Sequence, residues 1–398
     1  MFKDIDLFLK DFQTIVNIDS SSDHLPGIER VAQFFQKRFS AIGLKADVLF
    51  QGDAKVPCLQ AVSGPGRGTT RNKNCGKNTK KDGKENETVY DLMFLGHMDT
   101  VFPFGEVAKR QFSIQGDKAF GPGVCDMKGG LLVALHVLET LEKEGALEKM
   151  SICVAFNGDE ETGSKASKEW IKSTAKKSRN VFVFEPCRPG YKMVSQRKGG
   201  GWFHVTATGK EAHAGADPDK GINAVVELAN QIIAIDKLND PDSGTSAQVT
   251  VVNGGDKVNI IPNQAVAAVD VRIAQLSEKE TVESFFNTLC DNTVFPGAKV
   301  SVQGKIDRPP METTQKSLAL LDLIINEGRK MGVNVTSIAT GGCSDGNFTA
   351  ALGTPTIDGM GIVGANSHRQ DEYVELPSIP VMVNLISNVC KTLIADGS

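Results

Sequence analysis

The sequence predicts an α/β protein of two domains: an outer one, discontinuous in sequence, with a mixed sheet flanked by helices, and an inserted βαββαβ, ferredoxin-like one. Three observations carry this. From Val89 to Phe184, short apolar runs rich in β-formers alternate with amphipathic helical stretches, the pattern of a sheet with helices on its faces. From Gly201 to Gly304 the order becomes strand, helix, strand, strand, helix, strand, a compact two-layer arrangement. Residue types that carry chemistry occur before the insertion and resume after it, from Thr340 to Tyr373. The expected division is residues 1–198 with 310–398 for the outer domain and 199–309 for the inner one.

Taken in order, Ile5, Leu7, Phe8, Phe12, Ile15, Val16 and then Val31, Phe34, Phe35, Phe39, Ile42 recur at three- and four-residue steps. That periodicity predicts two helices broken between Asp19 and Gly27. Ala46 to Phe50 and Cys58 to Val62 read as short strands. The following stretch, SGPGRGTTRNKNCGKNTKKDGKENET, is nearly free of apolar residues, cannot bury a core of its own, and is expected to be a solvated loop or hairpin tip. Its basic residues, Arg67 to Lys84, are expected to be solvated surface. Then come a strand at Met93 to Leu95, a helix at Gly129 to Glu142, a strand at Ile152 to Phe156, a helix at Lys165 to Thr174 and a strand at Val181 to Phe184. In the inserted domain, strands are expected at Gly201 to Thr208, Ala247 to Asn253, Ala265 to Ile273 and Lys299 to Gly304. Its helices are expected at Gly221 to Ile235 and Glu278 to Cys290.

The chain has 398 residues, 40% of them hydrophobic, enough for two domains with proper cores. A net charge of -4 supplies no field that would favour nucleic acid or an anionic membrane as partner. The eight cysteines contain no CxxC pair, which argues against a zinc finger and against a disulfide scaffold. Reduced thiols are the simplest reading. The amino-terminal MFKDIDLFLKDF carries acids within its apolar stretch, unlike the apolar region of a signal peptide. No run approaches the roughly 20 apolar residues of a membrane span, and a cytoplasmic location is expected.

Chemistry concentrates at the ends of the outer strands. An apolar run ends in Gly96-His97-Met98-Asp99, and the period of two in a strand puts His97 and Asp99 on one face. A histidine whose second nitrogen is held by a carboxylate suits a metal site. Gly121-Pro-Gly-Val-Cys-Asp126 is a tight turn that delivers one acid. It fails as a dinucleotide fingerprint because Asp126 stands where a third glycine is needed. Asp159-Glu160-Glu161 follow a strand as three adjacent acids, which repel unless cations or hydrogen bonds absorb the charge. Glu185 is a lone acid in VFVFEP, and Gly364-Ala-Asn-Ser-His368 offers a second histidine. Nitrogen and oxygen donors without thiolate suit zinc, with cobalt or manganese as substitutes. Such a set can build a two-metal hydrolase in which a bridging water is the nucleophile.

The segments GHMDTV, GPGVCDMKGG, FNGDEETGS, FEP, GKEAHAGADPDKGINAV, NIIPNQA, DVR, TGGCSDGN and SHRQDEYV resemble, in order, the M20 family of metallopeptidases. Within it they resemble the glutamate carboxypeptidase (carboxypeptidase G2-like) branch. The resemblance implies two zinc ions: His97 and Glu185 on the first, His368 and Glu161 on the second, Asp126 bridging. It implies Glu160 as the base that takes a proton from the bridging water and passes it to the leaving amine, and Asp99 as the partner of His97. In the inserted domain, a lid and dimerisation domain by this resemblance, His213 and Asn259 would hydrogen-bond the developing oxyanion across a homodimer. Arg308 would grip the substrate carboxylate. Arg272 is either a substrate contact or a strand ion pair with Asp270. Gly341 to Asp345 would line the pocket through backbone groups. The implied activity is release of a C-terminal amino acid, glutamate or a similar residue, from a small peptide or N-acyl amino acid. The alternative is deacylation of the acetylornithine or succinyl-diaminopimelate type, and a distant one a silent ligand-binding homologue. Glutamate-specific members carry a lysine where this chain has Met193, with Lys192 one residue away on the opposite strand face, so the leaving amino acid stays open.

Overall fold

The computed structural model describes Phe2, residues 4–63 and residues 90–396. Most of the long hydrophilic stretch, residues 64–89, lies outside them. The chain divides into two compact units, one of Met1–Ser195, Thr313–Ala339 and Ser344–Ser398, the other of Gln196–Glu312 and Thr340–Cys343.

In the first unit six strands form one mixed sheet, in the order Lys45–Gln51, Val56–Val62, Ile152–Asn157, Leu92–His97, Val181–Val183, Thr356–Ile357. The first two pair antiparallel, as do Val56–Val62 and Ile152–Asn157, while the remaining neighbours run parallel. The period of two sorts their side chains between two cores. Leu92, Phe94, Ile152, Val154, Phe156 and Phe182 enter the larger core, with the helices Ile5–Val16, Leu25–Ala41, Gly129–Lys143 and Ser378–Asp396. Met93, Leu95, Ala155, Val181 and Val183 enter the smaller one, with Ile171 and Ala175 of the helix Lys168–Ala175.

The parallel strands are buried on both faces, so they read as continuous apolar runs and not as alternation. Glycine permits the closest helix–strand approach: a Cβ on Gly130 would lie 1.9 Å from the Phe184 carbonyl oxygen, and one on Gly96 would lie 2.6 Å from a Leu131 methyl. Over Ser378–Ala395 the C-terminal helix is long and apolar enough to cross a membrane, correcting the expectation that no stretch approaches a span. Asn384, Ser387, Asn388 and Lys391 break it into short apolar pieces. Half of it is buried, and Ile379, Met382, Val383, Ile386 and Val389 lie in the larger core.

The second unit has a four-stranded antiparallel sheet in the order Ser246–Gly254, Gln264–Ile273, Gly199–Thr208, Lys299–Arg308. The helices Ala224–Asp236 and Glu278–Thr288 cover one face. Along Gln264–Ile273 every second residue from Ala265 to Ile273 is buried. Phe203 stacks on Phe286 with ring centroids 4.0 Å apart.

Gly130→Ala is expected to push the helix Gly129–Lys143 off the sheet and cost about 1–3 kcal/mol, read as a lower urea midpoint. Gly341→Ala, where a Cβ meets nothing within 4 Å, is the control and should leave the midpoint unchanged.

Candidate metal centre

Parallel strands point their carboxyl ends the same way, so the residues just beyond them gather at one sheet edge. Leu92–His97 ends on His97, opposite Asn157, the last residue of Ile152–Asn157. Glu160 and Glu161 follow Asn157 in a single turn of tight helix. Glu185 stands two residues beyond Val181–Val183. Asp126 sits at a kink just before the helix Gly129–Lys143, with φ -116° and ψ 96°. His368, with φ +68°, comes from the chain after the insertion.

These residues converge within the first unit. One Asp126 oxygen lies 3.0 Å from His97 Nε2 and the other 3.2 Å from His368 Nε2. Glu185 approaches His97 Nε2 to 3.7 Å, and Glu161 approaches His368 Nε2 to 3.3 Å. Ligand atoms of His97, Asp126 and Glu161 all lie within 4.8 Å of one another. Among the described residues, Glu161 Oε1 is buried with no hydrogen-bond partner. A buried carboxylate oxygen without a donor is costly unless a cation meets it, so the donor set fits the divalent ions that the sequence implied.

The charges act strongly on one another. Burial pushes the Glu161 carboxyl up to about 7, against a hydrogen bond to His368 that pulls it down. Hydrogen bonds to Asp126 and Glu161 raise His368 to about 10. Burial would lower His97, yet its hydrogen bonds to Asp126 and Asp99 hold it well above the usual histidine value. Asp126 is likewise driven down, its burial outweighed by bonds to His368 and His97.

Asp99 is fully buried. Its Oδ1 accepts the Glu160 N–H at 3.2 Å, and its Oδ2 accepts the Glu161 N–H at 3.2 Å and the Ser22 hydroxyl at 2.7 Å. His97 Nδ1 is nearer the backbone oxygen of Asp99, at 2.9 Å, than its carboxylate, at 3.4 Å. The backbone carbonyl therefore does most to fix the His97 tautomer, while the carboxylate is spent on the Glu160–Glu161 turn. Nδ1–H donation to that carbonyl turns Nε2 toward the cluster.

The sequence reading missed Ser22, Asn157, Ser164 and Glu372. Glu372 is fully buried and its Oε1 accepts the N–H of Cys125, next to Asp126, at 3.1 Å; burial raises it to about 8. Its hydrophilic surroundings, HRQDEY, gave no local signal of burial. Ser344 and Asp345, expected to serve through their backbone, are buried and bonded through their side chains: Ser344 donates to Asp358 at 2.6 Å, and Asp345 accepts from Asn157 at 2.9 Å. Met193 lies in the larger core with no exposed surface, while Lys192 is exposed.

His213, Asn259, Arg272 and Arg308 belong to the second unit. A two-stranded ribbon pairs Ala212–His213 with Ile260–Ile261, and the Ala214 N–H donates to the Asn259 carbonyl at 2.9 Å. His213 Nδ1 accepts the N–H of Gly215 at 3.2 Å and of Ala216 at 3.0 Å, which leaves the proton of the neutral ring on Nε2. Arg272 holds Asp270 through two bonds, of 2.7 and 2.8 Å, so the strand ion pair is present. Arg308 lies half-buried at the end of its strand.

The model of peptidase family M20/M25/M40 matches residues 93–392. Carboxypeptidase G2 of Pseudomonas sp. (strain RS-16) is 31% identical over 94% of this chain and 86% of its own length. Succinyl-diaminopimelate desuccinylase of Thioalkalivibrio sulfidiphilus is 25% identical over 77% of this chain and 84% of its own. Among solved structures, a tripeptidase from Staphylococcus aureus has the same fold, with a TM-score of 0.77 at 19% identity, covering 98% of this chain and 99% of that one. Agreement over this length, running from Met93 through the insertion and almost to the C-terminus, makes the chain a member of peptidase family M20/M25/M40 and a hydrolytic enzyme of the metallopeptidase class.

Proposed function

We propose that this hydrolase is a di-zinc exopeptidase that releases a C-terminal amino acid from a small peptide or N-acyl substrate. The observation that carries the reading is the Asp126 carboxylate, whose two oxygens face two different histidines at 3.0 and 3.2 Å, as a shared ligand must. His97 and Glu185 complete the first site and Glu161 and His368 the second. Nitrogen and oxygen donors in this number suit zinc, with cobalt or manganese as substitutes. Two such cations would polarise a substrate carbonyl and lower the pKa of a water between them.

The chain's own groups supply the rest. Glu160, buried beside the cluster and held by its N–H on Asp99, takes the proton of the attacking water and hands it to the leaving nitrogen. His213, with its proton on Nε2, and Asn259 would donate to the oxyanion across a homodimer, as the family resemblance implies. Arg308 receives the substrate carboxylate with its planar fork. Arg272, engaged by Asp270, positions its strand. The sheet-edge strand Ser246–Gly254 exposes Val251 and Val252, at 51% and 54%, which supports a homodimer built through the second unit. Among the described residues Cys58, Cys125, Cys153, Cys187, Cys290 and Cys390 are free thiols, which supports a cytoplasmic location.

One observation favours a deacylase of the acetylornithine or succinyl-diaminopimelate type. Met193, buried in the core, cannot read a glutamate side chain as a lysine at that position would. A panel of N-acyl amino acids, dipeptides and acyl-amines decides between the two. Cleavage of acyl-glutamate or acyl-aspartate in preference to acetyl- or succinyl-amines upholds the exopeptidase; the reverse preference overturns it. Glu160→Gln is expected to keep its zinc and lose roughly 10²–10⁴ in kcat. No turnover by wild type with two ions bound would make the protein a silent binder.

The pKa shifts fix a pH dependence for chelator-treated protein. His368 is raised from 6.5 to about 10, so its favourable interactions are complete below pH 6.5 and lost as pH rises toward 10. Glu161, raised from 4.5 to about 7, has the same sign over pH 4.5–7. Zinc replaces those protons and binds more tightly as pH rises. The gap in melting temperature between zinc-loaded and chelated protein should therefore widen from pH 6 to pH 9. His368→Asn should flatten that trend; a constant gap in wild type would contradict the ligand assignment.

A further inference from the structure

We propose that Asp345 is a positioning residue for the base and ligand turn, clamping both ends of the segment that carries Glu160 and Glu161. This rests on the roles given to those two glutamates above. Asp345 is 2% exposed. Its Oδ2 accepts from Asn157 Nδ2 at 2.9 Å, and its Oδ1 accepts a hydrogen bond from the Ser164 hydroxyl. Asn157 is the last residue of its strand and lies opposite His97. Ser164 closes the turn, with its N–H on the Asp159 carbonyl at 2.7 Å. One carboxylate from a segment 181 residues further along the chain therefore spans the turn from its first residue to its last.

Two features make this more than packing. Ser164 has φ +53°, a left-handed conformation that a serine keeps only when its surroundings impose it; the Asp345 bond is one such constraint. The turn is also tied from the cluster side, where Asp99 receives the N–H groups of Glu160 and Glu161. Asp159 meanwhile fixes the chain beyond the turn by accepting the N–H of Ala166 at 2.7 Å and of Ser167 at 3.3 Å. Asp99 sets the height of the two glutamates over the metal cluster, and Asp345 sets the span of the loop that presents them. Freeing either end lets Glu161 drift from His368 and Glu160 from the reacting water, and a misplacement of about 1 Å costs on the order of 10²-fold in rate.

The test uses full-length Asp345→Asn and Ser164→Ala. An asparagine keeps the volume but loses the charge. Its oxygen can still accept from Asn157 while its amide donates to the Ser164 hydroxyl, so that bond is reversed and weakened, whereas Ser164→Ala removes it outright. In chelator-treated protein, the amides from Glu160 to Ser164 are expected to exchange at least about tenfold faster in either variant than in wild type. Zinc competition with a chelator should show the weaker site loosened by roughly 10–100-fold. In the loaded enzyme kcat should fall by roughly 10²-fold with little change in KM. Unchanged exchange, zinc affinity and kcat beside a lowered melting temperature would reduce Asp345 to packing and overturn the proposal. If Asp345→Asn does not fold, Ser164→Ala, which keeps the Cβ, carries the same test with the same outcomes. If wild type cleaves nothing in the substrate panel, the functional reading fails by itself, while exchange and zinc competition still decide whether the clamp exists.

Discussion

Carboxylates packed beside one another repel, and three of them meet two histidines here at one edge of a sheet. Asp126 stands between His97 and His368, each within 3.2 Å, while Glu185 and Glu161 flank the two rings. The arrangement raises the basicity of both histidines and leaves one Glu161 oxygen buried and unmatched. Much of the first unit can be understood as the apparatus that holds like charges in place until cations offset them.

That apparatus is mostly backbone. Three parallel strands end at one level, so His97, Glu160, Glu161 and Glu185 need only the few residues at or just beyond a strand end to reach the same place. The helix Gly129–Lys143 must come close enough to deliver Asp126 beside them. Gly96 and Gly130 permit that approach, since a Cβ on either would collide with Leu131 or Phe184. The glycines of GHMD and KGG thus serve the same end as the histidine and acid they accompany.

Around the cluster, hydrogen bonds are divided among specialised acids. Asp99 is spent on the amides of the Glu160–Glu161 turn and on Ser22, Asp345 on the ends of that turn, and Glu372 on the amide beside Asp126. Each is buried and each acts on a neighbour of the chemistry. Holding a charged side chain by several donors from different segments is how a low-dielectric interior keeps it from moving.

The two-part α/β architecture, the alternation of strands and helices, the family, and the residues gathered at the strand ends were all legible in the amino-acid sequence. They are legible because apolar periodicity is local and because acids and histidines after apolar runs stand out. Which acid would hold which group was not. Asp345, Asn157 and Glu372 look like ordinary polar residues of loops, and their partners lie from 181 to 247 residues away along the chain. Nor could local pattern show that the Asp99 backbone carbonyl comes closer to His97 than the carboxylate, or that Met193 is core while Lys192 is solvent. Those outcomes depend on burial and on hydrogen bonds between distant segments, and only the packed tertiary structure brings these together.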